Sequence, residues 1–238
     1  MKRMYQAVFQ RYETKYLLSD AQYAAILDAL SGRMALDHYG HTLIENIYLD
    51  TQDFRLIRRS LEKPEYKEKL RLRHYSGTPE EATFVEIKKK YRRLVSKRRL
   101  QFPCDAAVAW LCGDGSAPKD TQIAREIAYC RHCYRPLVPA MLLSYGRDAY
   151  CDPNGSDLRV TFDTRALFRQ TDITFRLPPG GAELLPPGMT LMEVKTSLGY
   201  PPWLREALSR SGVYPVSFSK YGRAYQMIMR QKGRTTHA

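Results

Sequence analysis

The chain has no long, uninterrupted hydrophobic run. None of its apolar stretches approaches the 18 residues that a membrane-spanning helix needs, so the sequence predicts no membrane span. Residues 1–9 contain cations but no continuous apolar region, which argues against a secretory signal peptide. Internal repeats and low-complexity segments are also missing. We therefore expect a folded, non-membrane protein.

Cysteine is scarce and irregularly spaced. Five cysteines cannot all pair with one another, and this usage predicts reduced thiols in a cytoplasmic protein. Cys130 and Cys133 flank His132 in a way that resembles half of a zinc site. No second cysteine pair has ligand spacing, so the segment is interpreted as a structural thiol pair.

Acidic residues are too few to balance the basic ones. The 238 residues include 38 Lys and Arg against 25 Asp and Glu, a formal net charge of +13. This excess predicts an anionic partner, such as phosphates, nucleic acid or an acidic surface. A hydrophobic content of 44% is ordinary for a globular protein. We expect one domain over residues 1–231, followed by a disordered tail at 232–238.

The basic residues are patterned most clearly in residues 66–75. Four cations recur there at every second position: Lys67, Lys69, Arg71 and Arg73. Leu70 and Leu72 take the opposite parity, which is typical of a β-strand with one apolar and one charged face. This strand alone is equally compatible with a solvated sheet face and with an anion-binding surface.

The same alternation recurs along the chain. It is found at Glu13 and Lys15, Glu86 and Lys88, Lys97 and Arg99, Tyr145 and Arg147, Arg159 and Asp163, and Glu193 and Lys195. One curved sheet can bring all these charged faces together. We therefore predict an α+β protein: a closed, antiparallel, eight-stranded β-tunnel with a polar, cationic lumen and helices packed outside.

The expected elements follow from periodicity and from turn residues. Strands are predicted within 5–18 and at 43–50, 66–75, 83–91, 94–102, 138–150, 157–163 and 190–196, with a weaker one near 172–177. Helices are predicted after Ser19 and at 105–111, 120–134, 202–211 and 219–231, and a short helix or turn at 52–60. The Pro- and Gly-rich segment 178–188 is interpreted as a loop.

Taken in order, these motifs resemble a known family. They are Arg11-x-Glu13-x-Lys15-Tyr16, Tyr48-Leu49-Asp50-Thr51, Lys69-Leu70-Arg71-Leu72-Arg73-x-Tyr75, Val85-Glu86-Ile87-Lys88, Ser144-Tyr145-x-Arg147, Arg159-Val160-Thr161-Phe162-Asp163, Met192-Glu193-Val194-Lys195 and Phe218-Ser219-Lys220-Tyr221. The set is similar to the vacuolar transporter chaperone (VTC-type) polyphosphate polymerase domain of the CYTH, or triphosphate tunnel metalloenzyme, superfamily. The resemblance implies a tunnel that grips phosphate chains and transfers the γ-phosphate of ATP to polyphosphate, with a divalent ion, Mn or Mg, as cofactor.

The resemblance also implies roles for individual residues. The catalytic cations are then Lys15, Arg71, Arg73, Lys88, Arg147, Lys195 and Lys220. Further phosphate or nucleotide contacts come from Arg58, Lys69, Lys97, Tyr145, Arg159 and Ser219. Glu193 matches the metal-binding carboxylate, and Glu13 and Glu86 are further candidates. An ion pair that separates the cations is the alternative for Glu86, and Asp163 could orient Arg147 or Arg159.

One departure distinguishes the branches of the superfamily. The hydrolases of the superfamily usually begin with the motif Glu-x-Glu-x-Lys. In this chain Arg11 stands at the position of the first glutamate. The replacement removes a metal ligand, which favours the polymerase-like branch over the triphosphatases. Residue chemistry agrees with a phosphate ligand, because guanidinium and ammonium groups neutralise phosphoryl oxygens.

The leading hypothesis is a metal-dependent polyphosphate polymerase whose partners are ATP and inorganic polyphosphate. The alternatives are a hydrolase of triphosphate or polyphosphate on the same tunnel and a non-catalytic polyphosphate-binding module. Nucleic acid is disfavoured as a partner, because the cations alternate into an enclosed lumen that is too narrow for a duplex. The sequence indicates neither a membrane span nor an obligate protein partner.

Overall fold

The computed structural model describes residues 12–76, 82–92, 94–117 and 119–235. Its strands are β1 (Tyr12–Ser19), β2 (Ala35–Leu36), β3 (Thr42–Asp50), β4 (Tyr66–Tyr75), β5 (Thr83–Tyr91), β6 (Leu94–Phe102), β7 (Val138–Cys151), β8 (Arg159–Arg169), β9 (Ala182–Glu183) and β10 (Met189–Thr196). Its helices are α1 (Asp20–Leu30), α2 (Arg55–Leu61), α3 (Cys104–Cys112), α4 (Gln122–Cys133), α5 (Pro202–Arg210) and α6 (Lys220–Thr235).

The strands form one antiparallel sheet, as predicted. Eight of them follow the order β1-β10-β8-β7-β3-β4-β5-β6, while the short strands β2 and β9 pair with β7 and β8. The expectation of a closed tunnel is corrected, because within the described residues β1 and β6 end the order and do not pair. Glu13 of β1 instead lies 3.4 Å from Lys88 of β5, so an ion pair connects the two sides of a curled, open sheet.

The outer face of the sheet is covered by helices, because the apolar parity of each strand points there. Leu70 and Leu72 of β4 are fully buried in a hydrophobic cluster with Trp110 of α3 and Ile127 of α4. Burial of several large apolar side chains, each contributing about 1.5–3 kcal/mol, holds these helices against the sheet. The cations of β4 consequently face the opposite, inner side.

A second cluster forms where α1 and α5 pack on the other half of the sheet. Phe162 of β8 and Met192 of β10 are buried there with Ile26 of α1 and Leu204 of α5. Ser19 begins α1 with a reciprocal capping pair, in which its hydroxyl accepts from the backbone N–H of Gln22 and the Gln22 side chain accepts from the Ser19 backbone N–H. This packing leaves the alternate residues of β1, β8 and β10 on the inner face.

The end of β3 positions both α2 and α6. Asp50 is fully buried, and its carboxylate accepts hydrogen bonds from the backbone N–H groups of Leu56 and Ile57 at 2.8 and 3.0 Å. The same carboxylate accepts a 2.8 Å hydrogen bond from the Tyr221 hydroxyl of α6. The Tyr221 ring stacks on Tyr48 with ring centroids 4.4 Å apart, so α6 begins against the inner face of the sheet.

Two local expectations differ from the structure. The weak strand near 172–177 does not form, because β8 continues to Arg169 and that side chain donates to the carbonyls of Asp172, Thr174 and Pro178, which fixes an irregular loop. The last helix continues through Thr235, so residues 232–235 of the expected tail are helical. Residues 236–238 and Arg11 lie outside the described residues.

None of the described helices is both long enough and apolar enough to cross a membrane.

Candidate functional site

The inner face of the curled sheet encloses a cavity of about 660 Å³. Its cationic lining residues are Lys15, Lys67, Lys69, Arg71, Arg73, Lys88, Lys90, Lys97, Arg147 and Lys220. Three carboxylates, those of Glu13, Glu68 and Glu193, also line it, together with Tyr48, Leu143, Tyr145 and residues 216–219. The cavity is therefore strongly electropositive.

Strand register explains why the cations meet. Lys69 on β4 lies opposite Lys88 on β5, which lies opposite Lys97 on β6. Directly opposite residues in an antiparallel pair have side chains on the same face, about 4.5–5.5 Å apart at their Cβ atoms. Three lysines therefore form a row across three strands. Such a row is repulsive unless anions lie over it.

Glu86 anchors one group of cations. Its Oε2 accepts from Nε and Nη2 of Arg71 at 2.8 and 2.6 Å, and its Oε1 lies 2.7 Å from Nζ of Lys97. Burial opposes ionisation of Glu86, but Arg71, Arg73 and Lys97 outweigh it and hold its pKa far below the usual range. Glu86 therefore acts as a fixed anion that orients two arginines, as the ion-pair alternative required.

Glu13 and Glu193 form a second group with two lysines. Nζ of Lys15 lies 3.3 Å from Oε1 of Glu13 and 3.6 Å from Oε1 of Glu193. Nζ of Lys195 lies 4.0 Å from Oε2 of Glu13 and 3.2 Å from Oε2 of Glu193. Burial raises the pKa of Glu13, yet Lys88 and Lys195 outweigh it and lower the pKa to about 2. Burial likewise raises the pKa of Glu193, but Lys195, Lys220 and Lys15 outweigh it and hold the pKa well below its usual range, so both carboxylates are charged at neutral pH.

Asp163 anchors a third group on β8. It is fully buried and accepts hydrogen bonds from Nε and Nη2 of Arg147 at 2.6 and 2.7 Å. Lys220, the first residue of α6, donates to the same carboxylate. This arrangement holds Arg147 as a rigid fork at the cavity wall, which is the orienting role expected for Asp163.

Several ionisable groups of the lining have shifted pKa values. Burial and the neighbouring Lys15 and Lys88 lower the pKa of Lys69 to about 7. Burial lowers the pKa of Lys97 to about 7, and the attraction of Glu86 opposes this shift only in part. Burial raises the pKa of Tyr145, but Arg73, Arg147 and Lys220 outweigh it and lower the pKa to about 8. The cavity therefore disfavours further positive charge and favours negative charge.

The segment before α6 completes the wall beside β1. The backbone N–H of Val216 donates to the Lys15 carbonyl at 2.7 Å, and Lys15 Nζ donates to the Phe218 carbonyl at 3.0 Å. Lys69 Nζ donates to Ser219 Oγ at 2.9 Å. Two lining lysines thus fix this segment over the inner face.

The three predicted metal-binding carboxylates do not form one ligand set. Glu86 lies in its own ion-paired group, and within the described ranges no three His, Cys, Asp or Glu side chains come together to hold a metal ion. Glu13 and Glu193 share both lysine partners and line the same cavity. An Mg²⁺-like ion in a phosphoryl-transfer site uses one or two carboxylates plus substrate phosphates, so this pair fits such an ion.

Besides Glu86, three predicted site residues lie away from the lining. Arg58 pairs with Asp53 at 2.5 Å, and half of its side chain is exposed. Arg159 pairs with Asp37 at 2.6 Å at the first position of β8, beyond the cavity. The expectation that both line the tunnel is corrected accordingly. Lys195 contacts the carboxylates of the second group without lining the cavity.

Some lining residues were not predicted as site residues. Lys67 belongs to the alternating cations of β4, so the alternation in the sequence could have predicted that it faces the cavity. Tyr48 accepts a 3.2 Å hydrogen bond from Nη1 of Arg71, and Lys90 continues the charged end of β5. The backbone of residues 216 and 217 has no sequence signal, because its position depends on contacts with β1.

A solved structure that matches this chain with a TM-score above 0.5 shows the same fold. A putative adenylate cyclase from Bacillus halodurans matches with a TM-score of 0.54 and 14% identity, over 89% of this chain and 96% of that chain. A putative adenylate cyclase from Vibrio parahaemolyticus has a TM-score of 0.49 and 11% identity, over 92% of this chain and 99% of that one. A protein from Pyrococcus horikoshii has a TM-score of 0.47 and 13% identity, over 92% of this chain and 98% of that chain.

Comparison at the level of sequence families is more specific. No curated protein matches this chain. The model of the VTC domain, in contrast, matches residues 10–229, which include every described strand of the sheet and the first part of α6, up to residue 229. The chain therefore belongs to the VTC domain family.

Proposed function

We propose that this protein is a metal-dependent polyphosphate polymerase that transfers the γ-phosphate of ATP to a growing polyphosphate chain. The observation that carries the proposal is the cavity wall, where ten Lys and Arg side chains meet three carboxylates. A linear polyanion matches such a wall, because each phosphate unit presents oxygens to several cations. Membership of the VTC domain family supports the same substrate class.

The arginines are held ready for phosphate. Glu86 fixes Arg71, and Asp163 fixes Arg147, so both guanidinium groups are already oriented before a ligand arrives. Phosphoryl transfer depends mainly on positioning and on neutralising the equatorial oxygens, and such preorganised donors supply both. Lys15, Lys88 and Lys220 add point charges from other directions.

Glu13 and Glu193 would hold the divalent ion, Mn or Mg. The ion supplies charge neutralisation of the phosphates when bound. The residues around it have separate tasks: Lys15 and Lys195, which contact both carboxylates, keep them ionised and in position. A Glu193→Gln variant is expected to retain most polyphosphate binding and lose transfer, since one ligand is removed while the cations remain.

We further propose that residues 1–231 form one cytoplasmic domain with ATP and polyphosphate as its partners. β1 pairs with β10, so the first and the last described strands are neighbours in one sheet.

The test is incubation of the purified chain with ATP and Mn²⁺ or Mg²⁺, with polymer detected on a gel and ADP measured in parallel. Polymer together with ADP supports the proposal. Phosphate release without chain growth would indicate a hydrolase, and tight polyphosphate binding without ADP would indicate a binding module. The absence of both products under all metal conditions would exclude the polymerase.

A matched pair of variants separates the cavity from the general positive charge. Arg71→Gln removes a guanidinium that lines the cavity, and we expect its rate to fall by about 10²–10³-fold, as for the loss of a preorganised donor. Arg205→Gln removes the same charge from the exposed surface of α5 and should leave the rate unchanged. Equal rates for both variants would contradict the assignment of the cavity.

A further inference from the structure

One serine of the cavity wall is in direct contact with a lysine. Ser219 directly precedes α6, and its Oγ lies 2.9 Å from Nζ of Lys69 on β4. The same Oγ accepts a 3.2 Å hydrogen bond from the backbone N–H of Gly222, which fixes its position. Both Ser219 and Lys69 line the cavity. A hydroxyl and an amine are thus held together where phosphate chains are expected to bind.

The surroundings of Lys69 favour its neutral form. Its electrostatic neighbours are Lys15 on β1, Lys67 and Arg71 on β4, and Lys88 on β5, all of them cations. Burial and these four cations lower the pKa of Lys69 to about 7. A neutral amine can accept a proton, and a serine hydroxyl becomes an effective nucleophile when an adjacent base takes its proton.

We propose that Ser219 is a phosphoryl acceptor, the residue on which this protein places the first phosphate taken from ATP. Ser219 Oγ attacks the terminal phosphorus, an Oγ–P bond forms, the bond from that phosphorus to the bridging oxygen breaks, and ADP leaves with the electron pair. The proton of Ser219 moves to Lys69 Nζ. The inference rests on the proposed function, since ATP is the donor in both.

The product is a phosphoserine at the cavity wall. Its dianion would lie beside Lys69, which neutralises part of its charge, in a cavity that Lys220 also lines. A phosphate group attached there can accept the next phosphoryl group, so the polymer would begin on the protein itself. Ser219 then supplies the acceptor that starts the chain, and a growing chain would remain covalently attached to α6.

The experiment is incubation of the full chain with ATP labelled at its γ-phosphate, followed by denaturation, intact-mass measurement and peptide mapping. We expect label on the peptide that contains Ser219. The label should be stable in acid and lost in alkali, because phosphoserine esters behave in this way and a phosphoramidate on lysine behaves in the opposite way. Label on Tyr145, or an acid-labile label on Lys69, would overturn the proposal.

Two variants test the serine without loss of the fold. Ser219→Asn keeps a side-chain acceptor for the Gly222 N–H, so the helix cap is preserved while the nucleophile is removed. Ser209→Ala removes an exposed hydroxyl from α5, outside the cavity lining. We expect labelling to disappear in the first and to remain in the second. Equal labelling of both variants would overturn the assignment.

Lys69→Arg tests the role of the lysine as proton acceptor. The variant keeps a cation beside Ser219 that does not lose its proton at neutral pH. We expect the labelling rate to fall by about 10²–10⁴-fold, the usual contribution of general base catalysis, while polyphosphate affinity changes far less. At sub-saturating ATP the wild-type rate should rise through about pH 7, the pKa of Lys69 in the free protein, and that step should be absent in the variant. At saturating ATP the step should lie at a higher pH, because bound phosphates favour the charged lysine. An unchanged rate and pH profile would remove Lys69 from the proposal.

The outcomes separate this inference from the proposed function. Free polymer made at the normal rate by Ser219→Asn, on unlabelled protein, would overturn the inference and leave the polymerase intact. Labelled Ser219 without polymer would support the inference and contradict the polymerase. A wild-type chain that incorporates no label overturns the inference whether or not polymer forms.

Discussion

At the scale of single residues, Glu86 is the anion on which the cavity depends. It is 1% exposed and faces Arg71, Arg73 and Lys97 at once. Removing one partner of a buried ion pair leaves the remaining charge buried and unpaired. This loss destabilises a protein more than replacing the whole pair with apolar residues does. The carboxylate therefore holds together cations that would otherwise repel.

Glu86→Gln should consequently destabilise the protein by about 3–5 kcal/mol, measured by urea unfolding without ligand. Added polyphosphate should recover part of this loss, because its oxygens approach the same cations. Glu206→Gln is the matched control: Glu206 pairs with Arg210 on the surface of α5, and its loss should change stability by less than about 1 kcal/mol. A Glu86→Gln protein as stable as the control would contradict this role.

Lys69 and Lys97 make anion binding dependent on pH. Both have a pKa of about 7 in the free protein, and a bound polyanion stabilises their charged forms. Binding above pH 7 should therefore take up protons, and affinity should fall as the pH rises from 7 to 9. Calorimetry in buffers of different ionisation enthalpy measures the uptake, which Lys97→Arg should reduce. Binding heats that are independent of the buffer would contradict the prediction.

At the scale of elements, Asp50 connects β3 to two helices. Its carboxylate accepts from three backbone N–H groups, those of Thr51, Leu56 and Ile57, and from the Tyr221 hydroxyl. The contact with Tyr221 sets where α6 begins, and hence where Ser219 and Lys220 enter the cavity. A structural carboxylate thus positions part of the site without contacting ligand.

Asp50→Ala should therefore cost more than about 3 kcal/mol of stability, because it leaves several buried donors without an acceptor. Tyr221→Phe removes only the hydroxyl and should cost about 1 kcal/mol. Urea unfolding of both variants measures the difference. Equal losses would show that the backbone of α2 does not depend on this carboxylate.

At the scale of the whole molecule, the crowded cations oppose folding. The folded-state pKa values of Lys69 and Lys97 are about 7, whereas a lysine in the unfolded chain titrates near 10.4. Between these values the unfolded state binds more protons, so the free energy of unfolding rises with pH. Tyr145, with a pKa of about 8 when folded, acts in the same direction above pH 8.

The ligand-free protein should thus become more stable between about pH 7 and pH 9, as measured by its melting temperature. Polyphosphate should raise the melting temperature most at pH 7, because there it cancels the greatest repulsion. At 100 times its dissociation constant the ligand adds about 2.7 kcal/mol. A melting temperature that falls steadily over this range in the absence of ligand would contradict the prediction.

Strand parity made much of the site predictable. Alternation placed Lys69, Arg71 and Arg73 on one face, and the structure places all three in the cavity lining. The same alternation wrongly placed Arg159 in the cavity lining. Alternation predicts which face of the sheet a side chain is on, but not whether its position along the strand lies within the cavity. Arg159 begins β8 and pairs with Asp37, which follows β2 and is distant in sequence.

Closure of the sheet was not predictable from parity. The alternation shows which side of a strand faces inward, but hydrogen bonding between β1 and β6 requires that their backbones come within reach. In the structure Val216 donates to the Lys15 carbonyl on β1, a contact between residues far apart in the chain. The loop at 172–177 is a similar case, because Arg169 fixes its carbonyls through contacts that no periodicity encodes.

The sequence by itself determined the α+β class, the family motifs and the positive charge of the inner surface. Period-two alternation and an excess of cations are properties of the chain that do not depend on its fold. Only the tertiary structure decided which carboxylate holds which cation, that Glu86 lies apart from Glu13 and Glu193, and that Lys69 contacts Ser219. These pairings join different strands and helices, and they depend on sheet curvature and helix placement, which the burial of apolar side chains sets over the whole molecule.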